Sequence, residues 1–195
     1  MFFTKERIEK LSKWTKTLAS IPFFLIFIAF LTPFVTFSCS NTGGDSENKQ
    51  EIATYTIYEL ASGTSLSEKP QLQKMLKKME TENPSLLKQL HFLETPAYIT
   101  FGILACIFVA AVFALFSPLG SFVIGFCAFL SMWIYIGQFP ILLKQLGVDK
   151  FIISEPGPGA YIATILFCIG FALNIANFLR PVLEARRLKK LKAQK

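Results

Sequence analysis

The sequence predicts an all-α membrane protein, in which a bundle of four transmembrane helices carries a small α+β extracytoplasmic cap between its first two helices. Four uninterrupted apolar runs predict the spans: residues 19–38, 97–116, 119–143 and 160–179. Twenty helical residues rise about 30 Å, which matches the hydrocarbon core of a bilayer. Lipid offers no partners to backbone polar groups, so each run is expected to be helical throughout.

The composition fits the same class. Hydrophobic residues occupy 52% of the 195 positions, and most of the 21 phenylalanines lie inside the four runs. This is too apolar for a soluble domain of this size. The length allows a single domain and leaves no room for a separate catalytic module.

The basic residues predict the orientation of the chain. Residues 1–16 contain five Lys and Arg side chains against two acids, and residues 180–195 contain seven against one. By the positive-inside rule both termini are cytoplasmic, which requires an even number of spans and places residues 39–96 and 144–159 outside. The net charge of +7 therefore comes mainly from the two ends of the chain and indicates their side of the membrane. Attraction to anionic headgroups explains the basic tail better than binding of nucleic acid does.

The two ends of the chain are expected to lie on the inner membrane surface. Residues 1–18 are typical of an amphipathic flank, and residues 180–195 form a basic tail in which Pro181 marks the exit from the last span. The alternative is that both flanks are frayed and solvated.

Residues 39–96 are the one sizeable extramembrane connection. The β-branched and aromatic residues 52–58 predict a strand, whose only plausible local partner is the segment near residues 35–40. Farther along, four apolar residues recur at i, i+3, i+4 and i+7, as on one face of a helix. These residues are Leu72, Met75, Leu76 and Met79. This face either packs on the ribbon and the helix ends or binds a partner, since Met adapts to varied surfaces.

Asp, Glu, Lys, Arg and His are absent from all four runs. Proton relays, ion pathways and transporters of charged substrates place such groups in the membrane, so a pump or an ion-coupled transporter is disfavoured. The intramembrane polar residues are the amides Gln138, Asn174 and Asn177. The last two lie one turn apart, and hydrogen bonding between helices is the simpler interpretation. A narrow pore lined by amides is the alternative.

The residue pattern predicts no catalytic, cofactor-binding or metal-binding residues, so the chain is expected not to be an enzyme. His91 is the only histidine and stands among apolar residues just before the second run. The cysteines Cys39, Cys106, Cys127 and Cys168 lack the spacing of metal ligands. Cys39, at the outer boundary, is either a free thiol or a site of intermolecular pairing.

The order of these elements resembles that of claudin-like four-span proteins, although the claudin loop signature is missing and tight-junction sealing is not implied. More locally, Pro-Phe-Val-Thr-Phe-Ser-Cys at residues 33–39 is followed by Tyr-Glu-Leu-Ala-Ser-Gly at residues 58–63. This pattern is similar to one found in uncharacterised bacterial four-span membrane proteins. The resemblance implies a location in a prokaryotic plasma (inner) membrane and no defined activity.

Two functions from different classes agree with these observations. The first is a structural or accessory subunit that binds another membrane protein, or a second copy of itself, through its cap and helix surfaces. The second is a small permease or channel for a neutral solute or a lipid. In both cases the lipid bilayer is a partner and nucleic acid is not.

Overall fold

The computed structural model describes residues 5–39, 50–63, 98–145 and 152–193, and these residues are mostly helical. The helices are α1 (Lys5–Ala29), α2 (Ile57–Ser62), α3 (Tyr98–Phe116), α4 (Pro118–Gln145) and α5 (Pro158–Ala193). The strands are β1 (Val35–Cys39), β2 (Gln50–Tyr55) and β3 (Ile152–Pro156).

Among the described residues, three helices are long and apolar enough to cross a membrane. They are α3, α4 and the Pro158–Pro181 part of α5, with mean hydropathies of 2.7, 2.0 and 2.1. The helices predicted from the runs at residues 97–116, 119–143 and 160–179 are therefore confirmed. In α1 the apolar stretch is Trp14–Ala29, which is shorter than these three.

The first apolar run does not form one helix. The helix ends at Ala29, and the end of the run forms β1, so the prediction of a helix across residues 19–38 is wrong at its carboxyl-terminal end. Pro33 explains the break, because proline has no N–H and disfavours helical backbone in the preceding residue. The helix also begins at Lys5, so the predicted flank and the start of the predicted span form one continuous element.

The strands form one antiparallel sheet with the order β2-β1-β3. The predicted pairing of a cap strand with residues 35–40 is confirmed, because Val35 lies opposite Tyr55 and Cys39 lies opposite Gln50. The strand ends at Tyr55, three residues earlier than predicted, because Thr56 caps α2. Thr56 Oγ1 accepts a hydrogen bond from the Glu59 N–H at 3.2 Å, and Glu59 Oε2 accepts one from the Thr56 N–H at 2.7 Å.

The third strand and the length of the last helix were not predicted. β3 lies within residues 144–159, for which the sequence predicted no strand, and it pairs with β1 so that Phe37 faces Ser154. Helix α5 continues through Pro181 to Ala193, although Pro181 was expected to mark its end. A proline inside a helix removes one backbone hydrogen bond, and here the helix continues on both sides of it.

The described chain divides into two compact units. The first contains Met1–Phe27, Leu104–Phe129 and Thr164–Lys195, and the second contains Ile28–Ile103 and Leu130–Ala163. The core of the first unit is built from phenylalanine rings and small residues. The core of the second unit is the aromatic face of the sheet.

Candidate functional site

Within the second unit, backbone hydrogen bonds form a junction between the turn after α1 and the start of α5. The N–H of Gly157 donates to the carbonyl of Phe34, and the N–H of Gly159 donates to the carbonyl of Pro33, both at 2.8 Å. The Phe34 N–H donates in turn to the Tyr55 carbonyl at 2.8 Å. The turn that follows α1 is thereby tied to both β2 and the start of α5.

Both glycines at this junction are required by the close approach of the backbones. A β-carbon on Gly157 would lie 2.7 Å from the carbonyl carbon of Pro33, and one on Gly159 would lie 2.7 Å from Thr32 Oγ1. Real β-carbons do not approach other atoms so closely. The two glycines of the Pro-Gly-Pro-Gly sequence at residues 156–159 therefore make room for a second backbone.

Aromatic rings on one face of the sheet form the core of the second unit. The Phe37 ring lies between Tyr55 and Phe139, with its centroid 5.7 Å from each, and Phe139 lies 5.2 Å from Tyr135. All of these contacts are edge-on, the geometry that aromatic pairs favour. The sheet therefore packs against the carboxyl-terminal half of α4.

Tyr55 is fully buried in this core, and the pKa of its phenol is raised. Burial raises the pKa of the phenol from 10.0 to about 12, and the negative charge of Glu59 acts in the same direction. The folded unit therefore favours the neutral phenol over a wider pH range than the unfolded chain does.

The stability of this unit should fall as the pH rises from 10 to about 12. The unfolded chain releases the Tyr55 proton near pH 10, whereas the folded chain retains it until about pH 12. The stabilisation is complete below pH 10 and is lost as the pH rises through the folded pKa. Tyr55→Phe should reduce this loss, measured by thermal unfolding followed by Trp133 fluorescence in a Trp14→Phe background. An equal alkaline loss in both proteins would refute the assignment.

Phenylalanine rings fill the first unit. Phe23 of α1 is fully buried and lies 6.1 Å from Phe167 and 6.3 Å from Phe171, both on α5. Three rings of α4 also contact Phe171, with centroids at 5.2 to 6.1 Å: Phe122, Phe126 and Phe129. Gly125 and Gly170 let the Phe23 ring approach, because a β-carbon at either position would lie 3.0 Å or less from it.

The Asn174 amide lies buried beside this ring cluster and bonds to a neighbouring helix. Its Nδ2 donates to Ser121 Oγ at 3.1 Å, and Ser121 Oγ donates to the Ala110 carbonyl at 2.8 Å. Three helices, α3, α4 and α5, are thus joined by one short polar chain. No donor among the described residues reaches Asn174 Oδ1, which is buried.

The Asn177 amide and the Arg180 guanidinium both reach back to α1. Asn177 Nδ2 donates to the Thr15 carbonyl at 3.0 Å, and Arg180 Nη1 donates to Thr15 Oγ1 at 3.4 Å. Hydrogen bonds of both asparagines to other helices are what the interhelical interpretation requires. The sequence pattern identified the two amides but not their acceptors, because no sequence pattern distinguishes the serine or the backbone carbonyl that accepts such a bond.

Replacing both Asn174 and Asn177 with Leu should change the free energy of unfolding in detergent by only about 1–2 kcal/mol. Two interhelical hydrogen bonds are lost, but the buried Asn174 oxygen that lacks a donor is removed as well, which offsets part of the cost. Thermal unfolding of the double variant measures the change. Complete loss of biological function at unchanged stability would contradict a structural role and would favour an amide-lined pore.

The other predicted site residues lie apart from these clusters. Gln138 is exposed on α4. The predicted partner face at Leu72, Met75, Leu76 and Met79 lies outside the described residues, as does His91. Cys106, Cys127 and Cys168 are free thiols.

The described residues contain no group of three or more His, Cys, Asp or Glu side chains that could hold a metal ion. No known protein family matches the sequence, and no curated protein is significantly similar to it.

Proposed function

We propose that the chain is a structural or accessory subunit of a plasma membrane, which crosses the bilayer four times and binds another membrane protein through its cap and helix surfaces. Both termini are cytoplasmic in this proposal, and the sheet lies outside. The filling of the first unit by phenylalanine rings is the observation that carries it.

A fourth span through α1 is supported by the hydrogen bonds of the turn that follows the helix. Non-helical backbone is tolerated at membrane depth only where its polar groups find partners within the protein. The Leu31 and Thr32 N–H groups donate to the Ile28 and Ala29 carbonyls, each at 3.1 Å. The Pro33 and Phe34 carbonyls accept from the start of α5. The apolar stretch can therefore extend past Ala29 and complete the crossing without leaving these groups unpaired.

The ring packing supports a binding function over a conduit. A pore or a permeation pathway needs a lining that a solute can contact, whereas Phe23, Phe167 and Phe171 contact one another where α1 and α5 meet. The amide of Asn177 is engaged with α1, and the Nδ2 group of Asn174 is engaged with Ser121. With the interior of the first unit occupied by side chains, the surfaces are where we expect the protein to act.

Co-purification tests this function. The tagged chain, extracted from native membranes in a mild detergent, should recover a membrane protein in stoichiometric amount. Substituting Gln for Leu72, Leu76 and Met79 should release that partner while the protein stays inserted. A matched control, Gln71→Ala with Gln73→Ala, changes neighbouring positions off the apolar face and should retain it.

Two results would count against the proposal. One is retention of the partner by the triple variant, which would limit the apolar face to a covering role. The other is flux of a neutral solute across liposomes that contain this protein alone, which would favour a permease or a channel.

A further inference from the structure

The sheet carries charged side chains on the strands that flank its central strand. Glu51 of β2 lies opposite Ser38, and Glu155 of β3 lies opposite Thr36. Both carboxylates are exposed. A charged side chain exposed to hydrocarbon is costly, so this part of the sheet belongs outside the hydrocarbon core.

Helix α4 is joined to the sheet at the same level. Phe37, which lies between Thr36 and Ser38 on β1, contacts Phe139 of α4. Phe139 must therefore lie with the sheet and outside the core. A helix of 28 residues is about 42 Å long, roughly 12 Å more than the core it would cross, which leaves room for such an extension.

The side chains of α4 change in character at Trp133. Between Pro118 and Trp133 there is no amide or charged side chain, whereas Gln138, Lys144 and Gln145 follow and are exposed. Trp133 itself contacts Tyr161, near the start of α5, at 6.3 Å. Tyr161 is 53% exposed, and Tyr98, the first residue of α3, is 78% exposed. Exposed Trp and Tyr side chains collect at the level of the headgroups.

We propose that the outer boundary of the hydrocarbon core crosses α4 between Trp133 and Gln138, so that the sheet and the last turns of α4 lie among the phospholipid headgroups. Tyr98, Trp133 and Tyr161 anchor the protein at this boundary. The inference rests on the proposed insertion in a membrane, and it moves Gln138 from the span, where the sequence alone places it, into the headgroup layer.

Two cysteine variants on one face of α4 test this boundary. Gln138→Cys and Leu130→Cys lie two turns apart at exposed positions, in a background whose four native cysteines are replaced with Ala. A membrane-impermeant maleimide is added outside sealed, right-side-out vesicles. Because only a thiol in contact with water ionises and reacts, the Gln138→Cys protein should react roughly tenfold faster or more. The Leu130→Cys protein should react at the same rate only after detergent is added.

Equal reaction at both positions would place the boundary below Leu130, and protection of both would place it above Gln138; each result overturns the inference. Reaction of the Gln138→Cys protein only after permeabilisation would overturn the proposed orientation instead. None of these three results bears on co-purification of a partner, which tests the proposed function separately. If a cysteine variant fails to fold, a Trp14→Phe protein in brominated phospholipid gives a second measurement. Trp133 should be quenched most by bromine near the headgroup, and strongest quenching at the chain ends would refute the placement.

Discussion

Gly157→Ala should destabilise the unit that carries the sheet by about 3 kcal/mol, because the new methyl group would strike the backbone of Pro33. Its β-carbon would lie 2.7 Å from the Pro33 carbonyl carbon and still closer to the carbonyl oxygen. Relief requires the two backbones to separate, and separation breaks the hydrogen bonds that Gly157 and Gly159 donate to Phe34 and Pro33. The measurement is thermal unfolding in detergent followed by Trp133 fluorescence.

Gly137→Ala is the matched control for this substitution. It lies within α4 on the same unit, and no heavy atom comes within 4 Å of the position that its β-carbon would take. Alanine favours a helix over glycine by up to about 1 kcal/mol, so this variant should be neutral or slightly more stable. Equal losses in the two variants would show that the junction is looser than its hydrogen bonds indicate.

Phe23→Ala should destabilise the first unit by about 3 kcal/mol, at the lower end of the range for buried phenylalanines. Phe23 is fully buried between Gly125, Gly170 and the α5 rings Phe167 and Phe171. Its removal leaves a cavity that those glycines cannot fill. The cost is at the lower end because lipid is as apolar as the core, so packing contacts rather than transfer from water supply most of the stabilisation.

The neighbouring residue offers a control of the same type. Phe24 is 44% exposed, so Phe24→Ala removes a ring from the outer surface of α1 and should cost much less. Unfolding in detergent followed by Trp14 fluorescence, in a Trp133→Phe background, compares the two variants. A loss in Phe24→Ala as large as in Phe23→Ala would mean that the ring cluster does not form the core of this unit.

Local pattern was enough to predict three of the helices and the first pair of strands. The three later apolar runs are long and strongly hydrophobic, and the helix of the second continues through Pro140. The pairing of β1 with β2 joins segments close in sequence, and the β-branched residues of both favour it. The break after Ala29 was not predicted, because the hydrophobic run continues on both sides of Pro33.

Contacts between distant parts of the chain could not be predicted in this way. β3 is five residues long, contains Glu and Pro, and gains its partner only through β1. The closeness of Gly157 to Pro33 likewise depends on two backbones that meet only in the folded chain. The capping box at Thr56 and Glu59 was visible as Thr-x-x-Glu and would have corrected the end of β2.

The side of the membrane on which the amino terminus lies tests the proposed architecture most directly. Three of the described helices are long enough to span, and the crossing of α1 decides between three spans and four. In sealed, right-side-out vesicles, a four-span chain has epitope tags at both termini protected from added protease, while a cysteine introduced at Asp45 reacts with an impermeant maleimide. An amino-terminal tag that is cleaved while the carboxyl-terminal tag stays protected would mean that α1 does not cross, and would contradict the four-span bundle.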